Sequence, residues 1–182
     1  MKELSLHVLD LMQNSVSAKA MNIELTIHES LAANRYAFTI ADDGKGMSAD
    51  FLASVTDPYT TTRTTRKVGL GLPLIKMNTE NAGGGMDIKS TLGKGTELNF
   101  WFEHNHWDRP PLGDIAGTVV MLAAQHEDIH FVYNHITDSG KYTFDTAEVK
   151  EALDGMSINE YSIIKYLREM IDENLSAIGV TQ

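Results

Sequence analysis

The chain contains no cysteine, which excludes disulfides and thiolate metal centres. It has no apolar run approaching the roughly 20 residues that a membrane-spanning helix needs. The opening stretch Met1-Lys2-Glu3-Leu4-Ser5-Leu6-His7 also lacks the apolar core of a signal peptide. These absences predict a cytoplasmic protein without membrane association. Basic residues are scarce, 15 against 25 acidic ones, for a formal net charge of −10. Such a chain gains little from displacing counterions on a phosphate backbone, so nucleic acid is not an expected partner. Proline is rare too, and two of the 4 prolines are adjacent, at Pro110 and Pro111, where they stop regular structure and suggest a boundary.

What remains is ordinary globular material: 42% hydrophobic and 22% charged residues, enough in 182 positions for one cored domain and a smaller appendage. The expected division is a domain over 1–105 and an α+β extension over 106–182. One local feature departs from the acidic background. Arg63, Arg66 and Lys67 lie close together in a threonine-rich stretch, a small cationic patch suited to a small anionic ligand.

Periodicity predicts a helix over 4–20. Leu4, Val8, Leu11, Met12, Ser15 and Ala18 share one face, while His7, Asp10, Asn14 and Ser17 form a narrow polar stripe that must meet water, a ligand or polar partners. Strands are expected at 22–27 and 36–41, followed by a turn at 42–46 and a short helix from Ser48. The segment 56–68 has little periodicity and reads as a loop, and a helix follows over 70–81. A hairpin is expected over 86–102 around Gly93-Lys94-Gly95. Beyond the prolines come a helix (115–125), strands (129–135 and 141–144) and two more helices (146–153 and 158–175).

Three groups along this pattern carry chemistry. Asp10 and Asn14 are four apart on one helix, so their side chains project together. An acid beside a neutral amide can hold a hydrated magnesium through the amide oxygen and leave the acid as a general base. A polar seam satisfied by neighbouring backbone is the alternative. Asp42-x-Gly44-x-Gly46, with Met47 adjoining, follows a predicted strand. Its glycines admit a flat ring, and a carboxylate there accepts a hydrogen bond from an exocyclic amine such as adenine carries; an ordinary Asp-Gly turn is the alternative. Gly69-Leu70-Gly71-Leu72 opens a helix whose unpaired amides make an anion site. No Walker loop and no G-x-G-x-x-G fingerprint occurs.

The order of these groups, closed by Gly95-Thr96, resembles the GHKL superfamily of Bergerat-type ATPases and kinases: N box, D-x-G-x-G box, lid, G-x-G box and terminal G-T motif. The resemblance covers roughly residues 3–102. It implies a two-layer α/β sandwich with a mixed sheet and helices on one face, in the α+β class, holding ATP and Mg2+. It also implies roles: Asp10 as general base, Asn14 as magnesium ligand, Ser17 near phosphate, and Asp42 on adenine. Gly44, Gly46 and Met47 would then shape the base pocket, Gly69, Leu70, Gly71 and Leu72 would face phosphate with Thr62 and Arg63 from the lid, and Thr96 would support Asp42, often through water. The stretch Asp57-Pro58-Tyr59-Thr60-Thr61-Thr62 before Gly69-Leu70-Gly71-Leu72 is most similar to sensor histidine kinases.

Two departures stand out. Asp10 is one methylene shorter than the glutamate of the ATP-hydrolysing branches. No helix pair with an H-box histidine precedes Glu3, so a stand-alone domain is expected, acting as a regulatory phosphotransferase on a partner protein. An ATP-gated interaction module or slow ATPase is the other expectation. For it, the helix and strands after residue 115 faintly resemble the start of the MutL transducer region, although a structural cap on the sandwich accounts for them equally. His104, His106 and Trp107 at a strand end read as surface. Oligomeric state stays open.

Overall fold

The computed structural model describes residues 2–56 and 71–181. Its elements run α1 (Leu4–Ser17), β1 (Asn22–Ser30), β2 (Arg35–Asp42), α2 (Ala49–Ser54), α3 (Gly71–Asn81), β3 (Gly85–Thr91) and β4 (Gly95–Glu103). They continue with α4 (Ile115–Gln125), β5 (His130–Ile136), β6 (Lys141–Asp145), α5 (Thr146–Leu153) and α6 (Tyr161–Ala177).

Alternation decides which side of each strand is buried. Ile23, Leu25 and Ile27 of β1, Tyr36, Phe38 and Ile40 of β2, and Leu98, Phe100 and Phe102 of β4 all point inward, while Glu24, His28, Arg35 and Glu97 point out. Register brings these inward rows together. Ile27 pairs with Phe38 and Phe38 with Phe100, whose rings stack at 4.8 Å between centroids. Helix α1 is buried through Leu4, Val8, Leu11 and Met12, and it packs between α3 and α4, with α6 beyond α4.

The sheet has six strands in the order β3-β4-β2-β1-β5-β6. All neighbours are antiparallel except β1 and β5, which run parallel with Ile23 opposite Phe131, so the sheet is mixed. The strands after the Pro110-Pro111 pair therefore extend the sheet begun by β1 and β2. The proline segment is itself tied down: the amides of Leu4 and Ser5 donate to the carbonyls of Pro111 and Leu112 at 2.9 and 2.8 Å. These contacts satisfy two of the donors that the start of α1 leaves open.

Two helix ends differ from the expected ones. Helix α1 stops at Ser17 rather than residue 20, because Lys19 takes the left-handed conformation (φ 62°) and the Ala18 carbonyl is used by the amide of Lys45 at 2.9 Å. Helix α6 starts at Tyr161 rather than 158. The Glu127 carboxylate accepts from the Ser157 hydroxyl and from the Ile158 amide, which holds Ile158 outside the helix as a fully buried anchor.

Candidate functional site

The polar stripe of α1 meets the beginning of α3. At Gly71 the approach is so close that a Cβ would lie 2.2 Å from Asp10 Oδ2 and 4.0 Å from Asn14 Nδ2. A side chain here would displace the Asp10 carboxylate, so glycine is what permits this approach. Leu72, the next residue, packs partly against the core.

The carboxylate of Asp42, at the end of β2, is fastened to the same helix. Ser15 donates its hydroxyl to Oδ2 at 2.6 Å, and the amide of Gly44 donates to Oδ1 at 2.9 Å. Asn14 and Ser15 are adjacent, so one turn of α1 touches both the strand end and the α3 start. Ser15 escaped the sequence reading because helical spacing put it among apolar positions. A buried serine on an otherwise apolar face was the signal that could have found it.

The turn after Asp42 is locked to the β3–β4 hairpin. Gly46 has φ 62°, and a Cβ there would lie 2.0 Å from the carbonyl oxygen of Thr91. The amide of Met47 donates to the Ser90 hydroxyl at 2.9 Å, the Ser90 hydroxyl donates to the Gly95 carbonyl at 2.9 Å, and Thr96 Oγ1 lies 2.9 Å from Ser90 Oγ. Because Ser90 has one proton and Gly95 takes it, Thr96 donates to Ser90. Thr96 sits opposite Asp42 in the β2–β4 register, but its hydroxyl is engaged with Ser90, while Ser15 is the side-chain donor on Asp42.

Asp10 and Asn14 thus face Gly71, Asp42 and Gly44 are tied to the end of α1 through Ser15 and Ala18, and Gly46, Met47 and Thr96 connect that turn to the β3–β4 hairpin. Ser17 is turned away from them: it is exposed, and its hydroxyl donates to the Gln13 carbonyl of its own helix at 2.8 Å. Thr62, Arg63, Gly69 and Leu70 lie outside the described residues. A groove of about 430 Å3 crosses the open face of the sheet, lined by Arg35, Thr39, Asn99 and Trp101 among others, and shares none of these residues.

One turn below Asp10, His7 is buried at 1% exposure, and its Nε2 lies 3.0 Å from Asn78 Nδ2 on α3. Burial lowers the pKa of its ring, against an opposing pull from Asp10.

A second polar cluster occupies the far end of the sheet and corrects the surface reading of His104. That residue is 7% exposed, and its Nε2 lies 2.8 Å from Oε1 of Glu29, itself 2% exposed. The amide and hydroxyl of Thr181 also donate to Glu29, and His135 Nε2 stands 3.5 Å from Oε2. Burial opposes the charge, but the His135 ring close by and the donors on Thr181 and His104 outweigh it and hold the Glu29 carboxyl down to about 2. Trp107, by contrast, is fully exposed.

Comparison with known proteins identifies the family and the fold. The sensor histidine kinase ZraS of Escherichia coli (strain K12) is 29% identical over 106 residues, covering 58% of this chain and 23% of that protein. ZraS of Salmonella typhi is 32% identical over 95 residues, covering 52% of this chain and 20% of the other. The chain therefore spans less than a quarter of the length of these relatives. In fold, it resembles the Aquifex aeolicus MutL ATPase domain complexed with ADP, with TM-score 0.50, 14% identity, and coverage of 85% of this chain and 68% of that one. The N-terminal domain of a DNA repair protein is similar as well, with TM-score 0.54, 17% identity, and coverage of 79% and 52%. Residues 2–106 match the family described as histidine kinase-, DNA gyrase B-, and HSP90-like ATPase, and with more than half its length inside that match the chain belongs to this family.

Proposed function

We propose that this chain binds ATP with Mg2+ between α1, the Asp42–Met47 turn and the start of α3, and uses it as a regulatory phosphotransferase on a partner protein. One observation carries the reading. Ser15 holds Asp42 while its neighbour Asn14, with Asp10, faces Gly71, so a base-reading carboxylate and a phosphate-facing helix start share one turn of α1.

The residues suit such a ligand. Asp42 has a carboxylate oxygen lone pair to offer an exocyclic amine beyond the bonds from Ser15 and Gly44, and Gly44, Gly46 and Met47 border the space where a flat base would lie. Asn14 supplies an amide oxygen, the hard donor that magnesium prefers when phosphates and water complete its shell. The amides at Gly69 to Leu72, with Arg63 from the lid, offset phosphate charge, and magnesium when bound would neutralise charge on the transferred group. Asp10 orients or deprotonates the acceptor, a His or Ser of the partner. The histidine kinase relatives favour this transfer over simple hydrolysis.

A second reading has its own support. Strand β5 pairs with β1 over seven residues, from Asn22 opposite His130 to His28 opposite Ile136, and α4 packs on α1, so the region after 106 shares the framework of the nucleotide site. Nucleotide occupancy would then change the surface presented by that region, as in an ATP-gated module or slow ATPase.

Calorimetry with ATP, ADP and GTP, with and without magnesium, tests the binding. Saturable, magnesium-dependent binding of ATP with GTP at least tenfold weaker is expected, a margin of about 1.4 kcal/mol. Equal affinity for the two would remove Asp42 from the base-reading role. Transfer of labelled phosphate to a partner, against release of free phosphate, separates the two readings.

A further inference from the structure

Where α1 meets α3, buried His7 and half-buried Asn78 stand 3.0 Å apart. His7 is 1% exposed, and among the described residues its other ring nitrogen, Nδ1, has no hydrogen-bond partner. Leucine at both positions would fill similar space without burying an unpaired nitrogen, so the pair is a poor device for stability alone. A polar contact made by a buried ring in a helix interface does something else well, which is to select one axial register, because sliding by a turn would leave the buried His7 ring without its partner.

The register matters because of where the pair lies. His7 precedes Asn14 by seven residues on α1, and Asn78 follows Gly71 by seven on α3. The helices run antiparallel at this interface, touching at His7–Asn78 and again where Asp10 and Asn14 face Gly71. On α3 the two contacts lie seven residues apart, about 10.5 Å, and on α1 they lie three to seven residues apart, about 4.5 to 10.5 Å, so both fall on one continuous stretch of the interface. A slip at the lower contact is passed rigidly to the upper one.

We infer that His7 and Asn78 are positioning residues that set the distance between the start of α3 and the Asp10–Asn14 stripe, and through it the affinity for the phosphates of the nucleotide rather than for its base. This inference rests on the ATP reading above and identifies residues of this chain that lie outside the nucleotide contacts themselves.

The test uses His7→Leu, Asn78→Leu and His7→Gln in the full chain. Binding of Mg-ATP is followed by calorimetry and binding of adenosine by NMR titration, while amide exchange over 75–79, the first helix-bonded amides of α3, is recorded without ligand. His7→Leu and Asn78→Leu should each weaken Mg-ATP about tenfold, leave adenosine unchanged and speed exchange over 75–79. His7→Gln, which keeps a hydrogen-bonding partner for Asn78, should recover most of the ATP affinity. Equal weakening of ATP and adenosine, or unchanged ATP affinity in a folded His7→Leu protein, would overturn the assignment. If the parent chain binds no ATP, the nucleotide reading falls instead, and unaltered exchange over 75–79 in His7→Leu would then overturn the register claim by itself.

Discussion

Asp42 and Glu29 lie at opposite ends of the same β1–β2 ladder, where Ile23 pairs with Asp42 and Glu29 with Tyr36. Both carboxylates accept hydrogen bonds from elements far away in sequence, yet they are held in different ways. Glu29 is 2% exposed and takes two donors from Thr181 and one from His104, with His135 standing by at 3.5 Å. Asp42 is only partly buried and receives two neutral donors, a hydroxyl and a backbone amide. A buried carboxylate must be surrounded by donors to stay charged, and once surrounded it offers little to a ligand. A half-buried carboxylate with two donors can keep a lone pair in reserve. The contrast separates a polar group that holds the fold together from one that can recognise something.

The sharpest way to break this comparison is to remove the buried carboxylate. Glu29→Ala leaves His104 and Thr181 facing an empty site and should cost about 3 kcal/mol in urea unfolding, with ATP affinity of the remaining folded protein unchanged. A loss of nucleotide affinity without loss of stability would reverse the roles given to the two ends.

Acid should reveal the same group. Its folded value of about 2 lies below the ordinary 4.5, so its contribution is complete above about pH 4.5 and is lost as pH falls toward 2. By that shift, unfolding free energy should drop by roughly 3 kcal/mol across the window, and Glu29→Gln should flatten the profile there.

At the other end, Asp42→Asn should weaken ATP by about 10- to 150-fold, or roughly 1.5–3 kcal/mol, if a charged hydrogen bond to the base is lost. Calorimetry reads this directly. Gly71→Ala introduces a Cβ 2.2 Å from Asp10 Oδ2 and displaces that carboxylate, so Mg-ATP affinity should fall about tenfold with only a modest change in melting temperature. The smallest effect is expected at Ser17, whose hydroxyl is spent on its own helix: Ser17→Ala should move stability by less than about 0.5 kcal/mol and nucleotide affinity by no more than about twofold.

Much of this molecule was legible before any coordinates. The Asp10–Asn14 stripe follows from a four-residue spacing on one helix, and the turn after Asp42 from glycines next to an alternating strand. Both are short-range patterns, and the mixed sheet with helices on one face followed from the motif order. Ser15 bonding Asp42 joins residues 27 apart, and nothing in local periodicity marks a serine as the partner of a later aspartate. His104 looked like surface because His-x-His-Trp at a strand end is polar, whereas Glu29, 75 residues earlier, draws it inward.

What the sequence determined alone is therefore the set of elements and the faces they bury, because hydrophobic periodicity and turn chemistry act over a few residues. Tertiary structure decided which polar groups meet. The parallel pairing of β1 with β5, the Thr181 contact on Glu29 and the His7–Asn78 pair all close chain separations that many sequences could bridge differently. Buried polar groups must find partners wherever the packed core brings them, and only the finished packing states where that is.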